Sequence, residues 1–204
     1  FRSGMKAPIP FLDLGQPTSA MRREIDGAIA RVLDRGQFLL GPELEAFEAE
    51  YSAWCGARHC AGVGSGFSAL QLMVRACGIG PGDEVIVPGN THIATWLAVT
   101  EAGARPVPVD PDPATRVITA EGAEAAITPR TRAIFAVHLY GMPCDMPAIE
   151  GLCRARGLRL LVDSAQSAGA TIGGSRARCH GDAAAHSFYP TKNLGALGDG
   201  GAVV

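Results

Sequence analysis

Toward its C-terminal end the sequence reads SFYPTKNLGALGDGG over residues 187 to 201. A lone lysine, Lys192, sits just past a short aromatic run and ahead of several glycines. Lysines are rarely buried unless paired. An ammonium among apolar and small neighbours therefore has either a surface position or a task that needs a nucleophilic amine. Three other groups bear on which. Gly64-Ser65-Gly66 opens a helix-length segment, where glycine lets the backbone approach closely and free amides with the helix dipole favour a phosphate; the same turn also serves plain tight packing. Asp163 closes the apolar run LRLLV. Its carboxylate needs a cation or strong hydrogen bonds, unless it only caps the SAQSAG segment after it. His92, after Thr91, is a surface or core histidine, or a flat ring offered to a planar ligand.

A phosphate cradle, a flat ring, a buried carboxylate and a lysine are together what pyridoxal phosphate requires. The phosphate takes amides and hydroxyls, and the pyridine ring takes a stacking partner. The ring nitrogen must stay protonated to withdraw electrons, which a carboxylate ensures. The aldehyde takes a lysine amine. Lys192 is then placed for a Schiff base.

These groups need elements to hold them. Residues 19 to 33 place Met21, Ile25, Ile29 and Val32 on one face after Thr18 and Ser19, which predicts a capped amphipathic helix. A second helix follows Pro42, with Leu44, Phe47 and Tyr51 in register. Beyond it, short apolar runs alternate with helix-length segments. The runs are HCAGV (59 to 63), EVIV (84 to 87), PVPV (106 to 109), AIFAVHL (133 to 139), LRLLV (158 to 162) and AHSFY (185 to 189). Helices are predicted over 67–77, 92–103, about 120–127 and 146–156. β-Branched runs spaced by helices predict an α/β fold: a three-layer arrangement with a mainly parallel sheet and helices on both faces. In such sheets the ligand lies beyond the carboxyl ends of the strands. Gly64 to Ser68, Pro88 to His92, Asp163 to Gln166 and Pro190 to Lys192 all fall there.

Bulk properties narrow the partners. The 204 residues carry a formal net charge of −2 and are 47% hydrophobic. That balance offers no basic field for nucleic acid and no polybasic patch for a membrane, so a small-molecule partner is expected. No apolar run reaches transmembrane length. FRSGMKAPIPF lacks the apolar core of a signal peptide, and Met5 is a candidate natural start. Cys55, Cys60, Cys77, Cys144, Cys153 and Cys179 form no CxxC pair. They are expected to be free thiols in a reducing, cytoplasmic setting. Cys179-His180 is an adjacent Cys-His pair, too little for a ligand cluster, and no metal is expected.

From FLDLG (11 to 15) to its last residue the sequence resembles the DegT/StrS-type nucleotide-sugar aminotransferases of the fold-type I pyridoxal phosphate enzymes. The likeness rests on GQFLLGPELEAFE, GIGPGDEVIVPGNTHIATWLAV, AAITPRTRAIFAVHLYG, VDSAQSAGA and SFYPTKNLGALGDGG. It implies that Lys192 binds the cofactor aldehyde and that Asp163 pairs with the pyridine nitrogen. It further implies that Gln166 reaches the phenolic oxygen, that Ser187 and the amides of Gly66, Phe67 and Ser68 hold the phosphate, and that His92 stacks on the ring. Two positions depart from the family pattern: Val162, often Glu, and Ala168, often His.

The resemblance implies transfer of an amino group from glutamate, or a similar donor, to a keto-sugar on a nucleotide diphosphate. NTHIATWLAV is similar to members acting on dTDP-3-keto-6-deoxyhexoses, in deoxyamino-sugar biosynthesis for antibiotics or polysaccharides. A homodimer is implied too. Residues 1–204 are expected to form the large, cofactor-binding domain, with a helical arm over about 1–58 and without the family's smaller C-terminal domain. Three other readings share parts of the pattern. A dehydratase or ring-forming relative shares most motifs, although the known sugar dehydratases replace the lysine by histidine. A regulatory member shares the fold without turnover. A nicotinamide-binding domain needs only the glycine turn; Gly62, Gly64 and Gly66 are not GxGxxG, but Glu84 lies about where a ribose-binding acid would be.

Overall fold

The computed structural model describes residues 9–176 and 180–204; Met5, Lys6 and Cys179 lie outside them. The chain divides after Glu43 into an N-terminal unit and a larger one, Leu44–Val204.

The N-terminal unit carries two helices, α1 (Gly15–Ala20) and α2 (Arg22–Arg35). A single helix over 19–33 is predicted, but the helical path is interrupted at Met21 (φ −104°, ψ 7°). Thr18 does not cap α2, because its hydroxyl donates back to the Leu14 carbonyl at 2.8 Å. The cap-like contact comes earlier, from Asp13, whose carboxylate accepts the Gly15 amide at 2.8 Å. Gly36 ends α2 in the left-handed region (φ 68°). No residue of α2 is buried, and Met21 and Ile29 of the predicted apolar stripe are exposed.

Helix α3 (Pro42–Cys55) leads into the larger unit. There follow β1 (Ala61–Val63), α4 (Gly66–Ala76), β2 (Glu84–Pro88), α5 (Ile93–Glu101), β3 (Arg105–Val109), α6 (Ala120–Ala125), β4 (Thr131–Val137), α7 (Met146–Arg156) and β5 (Arg159–Asp163). A small hairpin, β6 (Thr171–Ile172) and β7 (Ser175–Arg176), precedes β8 (Ala183–Ser187) and β9 (Gly201–Val203). Residues 44–58, the second part of the expected helical arm, cluster with this larger unit. Tyr51 and Cys55 are buried there in one cluster with Phe188 and Ala202.

Seven strands form one sheet in the order β1-β9-β8-β5-β4-β2-β3. Neighbours from β8 to β3 pair parallel, while β9 runs antiparallel to both β1 and β8. The mainly parallel sheet is thus as expected. Side chains alternate across it with the two-residue period of a strand. Ile86, Ile134, Ala136, Leu160, Val162 and Ala184 pack with Ala123 of α6 and with Met146 and Ile149 of α7. Val85, Val87, Phe135, Leu161 and Ala185 pack on the other face with Leu70 and Met73 of α4 and Val99 of α5. Helices therefore cover both faces. The prolines of RPVPV are tolerated because β3 lies at the sheet edge.

This alternation positions the site. Asp163 follows Leu161 by two, and Ser187 follows Ala185 by two. Both therefore continue the sheet face covered by α4 and α5.

Candidate functional site

A cleft of about 530 Å³ opens where β4, β5 and β8 end, beside the start of α4. Gly66, Phe67, His92, Asp163, Gln166, Ser187 and Lys192 all line it. Of the residues that the family resemblance assigns to the cofactor, Ser68 alone is not among those described at its wall. Each side chain reaches its place for a local reason.

The start of α4 is built by Ser65. Its backbone is extended (φ −166°, ψ 163°), and its Oγ accepts the Ser68 amide at 3.0 Å. That N-cap contact takes the third of the three amides expected to hold a phosphate. Gly66 and Phe67 remain as the first-turn amides facing the cleft, so the expected set of three becomes two. Glycine is required at position 66 by close approach. A Cβ there would lie 2.5 Å from the Ser187 Cβ. The contact brings the amide end of α4 directly against the Ser187 hydroxyl on β8, an arrangement of donors suited to an anion.

Asp163 ends β5 at the cleft floor and is buried, with 6% of its surface exposed. Thr95 of α5 donates to its Oδ2 at 2.9 Å, and the Ala165 amide donates to Oδ1 at 3.1 Å. The second contact is the capping role left open by the sequence, although a turn rather than a helix comes next. Burial pushes the Asp163 carboxyl up; those two hydrogen bonds, and then Lys192 and His92, pull the other way. The carboxylate keeps lone pairs free for a further partner, and a cation is what its desolvated charge would stabilise most.

His92 is the N-cap of α5. Its Nδ1 accepts the Ala94 amide at 3.2 Å, which leaves Nε2 to carry the proton of the neutral ring. The ring is exposed at the cleft rim. Gln166 is oriented by a backbone group: its Oε1 accepts the Tyr140 amide at 2.6 Å. Tyr140 can aim that amide because it adopts the left-handed region (φ 56°, ψ 21°), directly after the run AIFAVHL (133 to 139). β4 ends instead at Val137, and the chain turns through residues 138–141. With its oxygen engaged, Gln166 presents its amide nitrogen as a donor.

Lys192 is half-buried in the loop after β8. Backbone bonds tie that loop: Lys192 N to Tyr189 O (2.8 Å), Ala196 N to Phe188 O (2.7 Å) and Phe188 N to Gly200 O (2.8 Å). A Cβ on Gly195 would collide with the Pro190 carbonyl oxygen. The small residues after the lysine thus let its loop fold back on itself.

Glu84 does not join this cleft. It is buried at the opposite, amino end of β2, where Arg130, Arg105 and Thr128 surround its carboxylate. The acid required by a nicotinamide reading is therefore occupied at the wrong edge of the sheet. Thr91 and Thr95 were missed as site residues. Their sequence signal is weak: Thr91 falls in the stretch after EVIV just ahead of the α5 cap His92, and Thr95 lies within the apolar helix IATWLAV. Among the described residues no three His, Cys, Asp or Glu cluster as metal ligands. His180 instead meets Glu150 at 3.1 Å. Burial pushes the Cys144 and Cys153 thiols up to about 12. No described helix is long and apolar enough to cross a membrane.

The model of the DegT/DnrJ/EryC1/StrS aminotransferase family matches residues 19–204. The dTDP-3-amino-3,4,6-trideoxy-alpha-D-glucose transaminase of Streptomyces venezuelae is 56% identical over 196 residues, 96% of this chain and 52% of that protein. Among solved structures, S. venezuelae DesV in complex with a ketimine intermediate superposes with a TM-score of 0.94 at 56% identity, covering 96% of this chain and 53% of that one. Bacillus subtilis ntda with bound cofactor pmp superposes with a TM-score of 0.89 at 35% identity, covering 100% and 46%. The chain spans about half the length of the relatives it matches.

Proposed function

The chain belongs to the DegT/DnrJ/EryC1/StrS aminotransferase family, and from that premise we propose that it carries the pyridoxal phosphate site of a nucleotide-sugar aminotransferase. One observation carries the reading: a buried carboxylate, a half-buried lysine and a helix start with free amides line a single cleft. The donor set fits the cofactor group by group.

When bound, pyridoxal phosphate supplies an aldehyde that takes up amines and a protonated ring that accepts electrons from a neighbouring carbanion. The residues do the rest. The Gly66 and Phe67 amides and the Ser187 hydroxyl hold the phosphate. His92 covers a ring face, and the Gln166 amide nitrogen donates to the phenolic oxygen. Asp163 keeps the proton on the ring nitrogen. Lys192 Nζ would be the amine that holds the aldehyde, and as general base and acid it would move a proton to and from the reacting substrate carbon.

The substrate class follows from the relatives rather than from the cleft alone. The S. venezuelae relative's name specifies a dTDP-linked 3-amino deoxysugar. We assign this protein a dTDP-3-keto-6-deoxyhexose type of acceptor, with glutamate or a similar amino acid as donor. The setting is deoxyamino-sugar biosynthesis in the cytoplasm, by a homodimer. The lysine at position 192 favours transamination over the dehydration of relatives that carry histidine there.

An absorption spectrum tests this. The purified protein with pyridoxal phosphate should show a visible band that glutamate shifts toward the pyridoxamine form. Lys192→Ala should lose both the band and the borohydride-reducible link to the cofactor. Lys6 is the other lysine of the sequence. A link that survives in Lys192→Ala would move the assignment away from Lys192. A wild-type protein that takes up no cofactor would end the reading.

A further inference from the structure

At the cleft stand two hydroxyls that the functional reading does not use, one on its wall (Thr91) and one behind it (Thr95). Thr95 is fully buried in α5, and its Oγ1 donates to Asp163 Oδ2 at 2.9 Å. Thr91, four residues earlier, places its own Oγ1 3.0 Å from that of Thr95. A hydroxyl has one proton to give. While Asp163 is ionised it can only accept, so Thr95 gives its proton to the carboxylate and the bond between the two threonines runs from Thr91 to Thr95. The order is fixed: Thr91 to Thr95, then Thr95 to the carboxylate. Linked hydrogen bonds of one direction polarise each other, most of all where water is excluded.

We propose that Thr95, steered by Thr91, is a positioning residue for Asp163: the two hydroxyls set which carboxylate lone pairs face the cleft and make the carboxylate less basic. The consequence rests on the pyridoxal phosphate reading. Where a carboxylate shares a proton with a ring nitrogen, lowering its basicity keeps that proton on the nitrogen, where it is needed.

A packing role would explain Thr95 less well. Valine fills the same volume without a hydroxyl, and an inward hydroxyl costs free energy unless it is hydrogen-bonded. Burial raises the Asp163 carboxyl, and Thr95 is one of the groups that oppose the rise. The charges acting on it are Lys192, from the loop after β8, and His92, from the start of α5, while the buried His138 and His186 share the cleft from the neighbouring strand ends. These stay in place when Thr95 alone is changed.

The test compares Thr95→Val with Thr95→Ser, which keeps the hydroxyl. The protein is labelled with carboxyl-13C aspartate, and the Asp163 signal is identified by its loss in Asp163→Asn. Without cofactor, the protonation midpoint of Asp163 should rise in Thr95→Val by about one to two pH units, about 10- to 100-fold in proton affinity, as expected for losing a hydrogen bond to a charge. Thr95→Ser should stay near wild type. Thr91→Val should shift in the same direction but less, and it carries the test should Thr95→Val fail to fold. With cofactor loaded, the glutamate half-reaction should slow at least about tenfold in Thr95→Val and recover in Thr95→Ser. An unmoved midpoint in both valine variants, or a serine variant that behaves like valine, overturns the proposal. Failure of the wild type to load pyridoxal phosphate would instead end the functional reading and leave the titration result standing.

Discussion

Asp163 ends a strand of apolar residues, and its own surface is almost wholly withdrawn from water. Such a carboxylate is costly unless it is paired or hydrogen-bonded. Here two donors hold it, and Lys192 and His92 also oppose the upward push of burial. An amide at this position keeps the shape but cannot hold a ring nitrogen protonated. Asp163→Asn should therefore fold and still bind pyridoxal phosphate while slowing the glutamate half-reaction by at least about 10²-fold, the scale of a well-placed electrostatic group. Stopped-flow absorbance measures it, and a near wild-type rate would remove Asp163 from the role. Asp163, Lys192, His92 and Gly66 could be singled out in the sequence because each lies at the end of a strand or within a few residues beyond it, where an α/β sheet exposes its chemistry. Thr95 was not, because IATWLAV reads as packing and a hydroxyl within it announces no partner. The engagement of the Ser68 amide was equally hidden. Whether Ser65 turns its oxygen back onto that amide depends on backbone angles.

At the scale of elements, the strands were legible where burial on both faces demands continuous apolar runs, as in EVIV and LRLLV. They were misjudged at their ends. AIFAVHL loses its last two residues to the turn that aims the Tyr140 amide at Gln166. AHSFY is displaced so that Phe188 bonds to Gly200. The two-residue strands of the β6–β7 hairpin are too short to show any period. The junction of α4 with β8 can be tested by adding one methyl. Gly66→Ala puts a Cβ against that of Ser187, and overpacking of this kind typically costs about 1–3 kcal/mol. Part of that loss should return in the Gly66→Ala, Ser187→Gly double variant, although the Ser187 Cα would still lie 3.1 Å from the added atom. Thermal melts of the four proteins give the coupling. Strictly additive losses would mean that the two positions do not press on each other.

Considered as a whole, the sheet divides its labour between its two edges. The carboxyl edge holds the cleft, with a carboxylate and a lysine loosely committed to other protein groups. The amino edge is closed by ion pairs: Arg130 and Arg105 on Glu84, Arg132 on Asp83, and Arg159 on Asp182. Glu84 is the buried member of that row. Hydrogen bonds from Thr128 and Arg130 outweigh burial and hold its carboxyl below the ordinary carboxylate range. A carboxyl depressed in the folded state adds stability that is fully present above its unfolded value and is lost as pH falls through the folded one. Glu84→Gln should therefore lower Tm clearly at pH 7, and the gap to wild type should narrow steadily as pH drops below about 4.3, the ordinary value for glutamate. Because Arg130 and Arg105 reach Glu84 from exposed positions, added salt should narrow the gap only in part. Cofactor binding, at the other edge, should be unchanged at neutral pH. A gap that stays constant from pH 7 down to the acid limit would show that Glu84 acts through packing alone. A loss of pyridoxal phosphate affinity in Glu84→Gln would show that the two edges of the sheet are not independent.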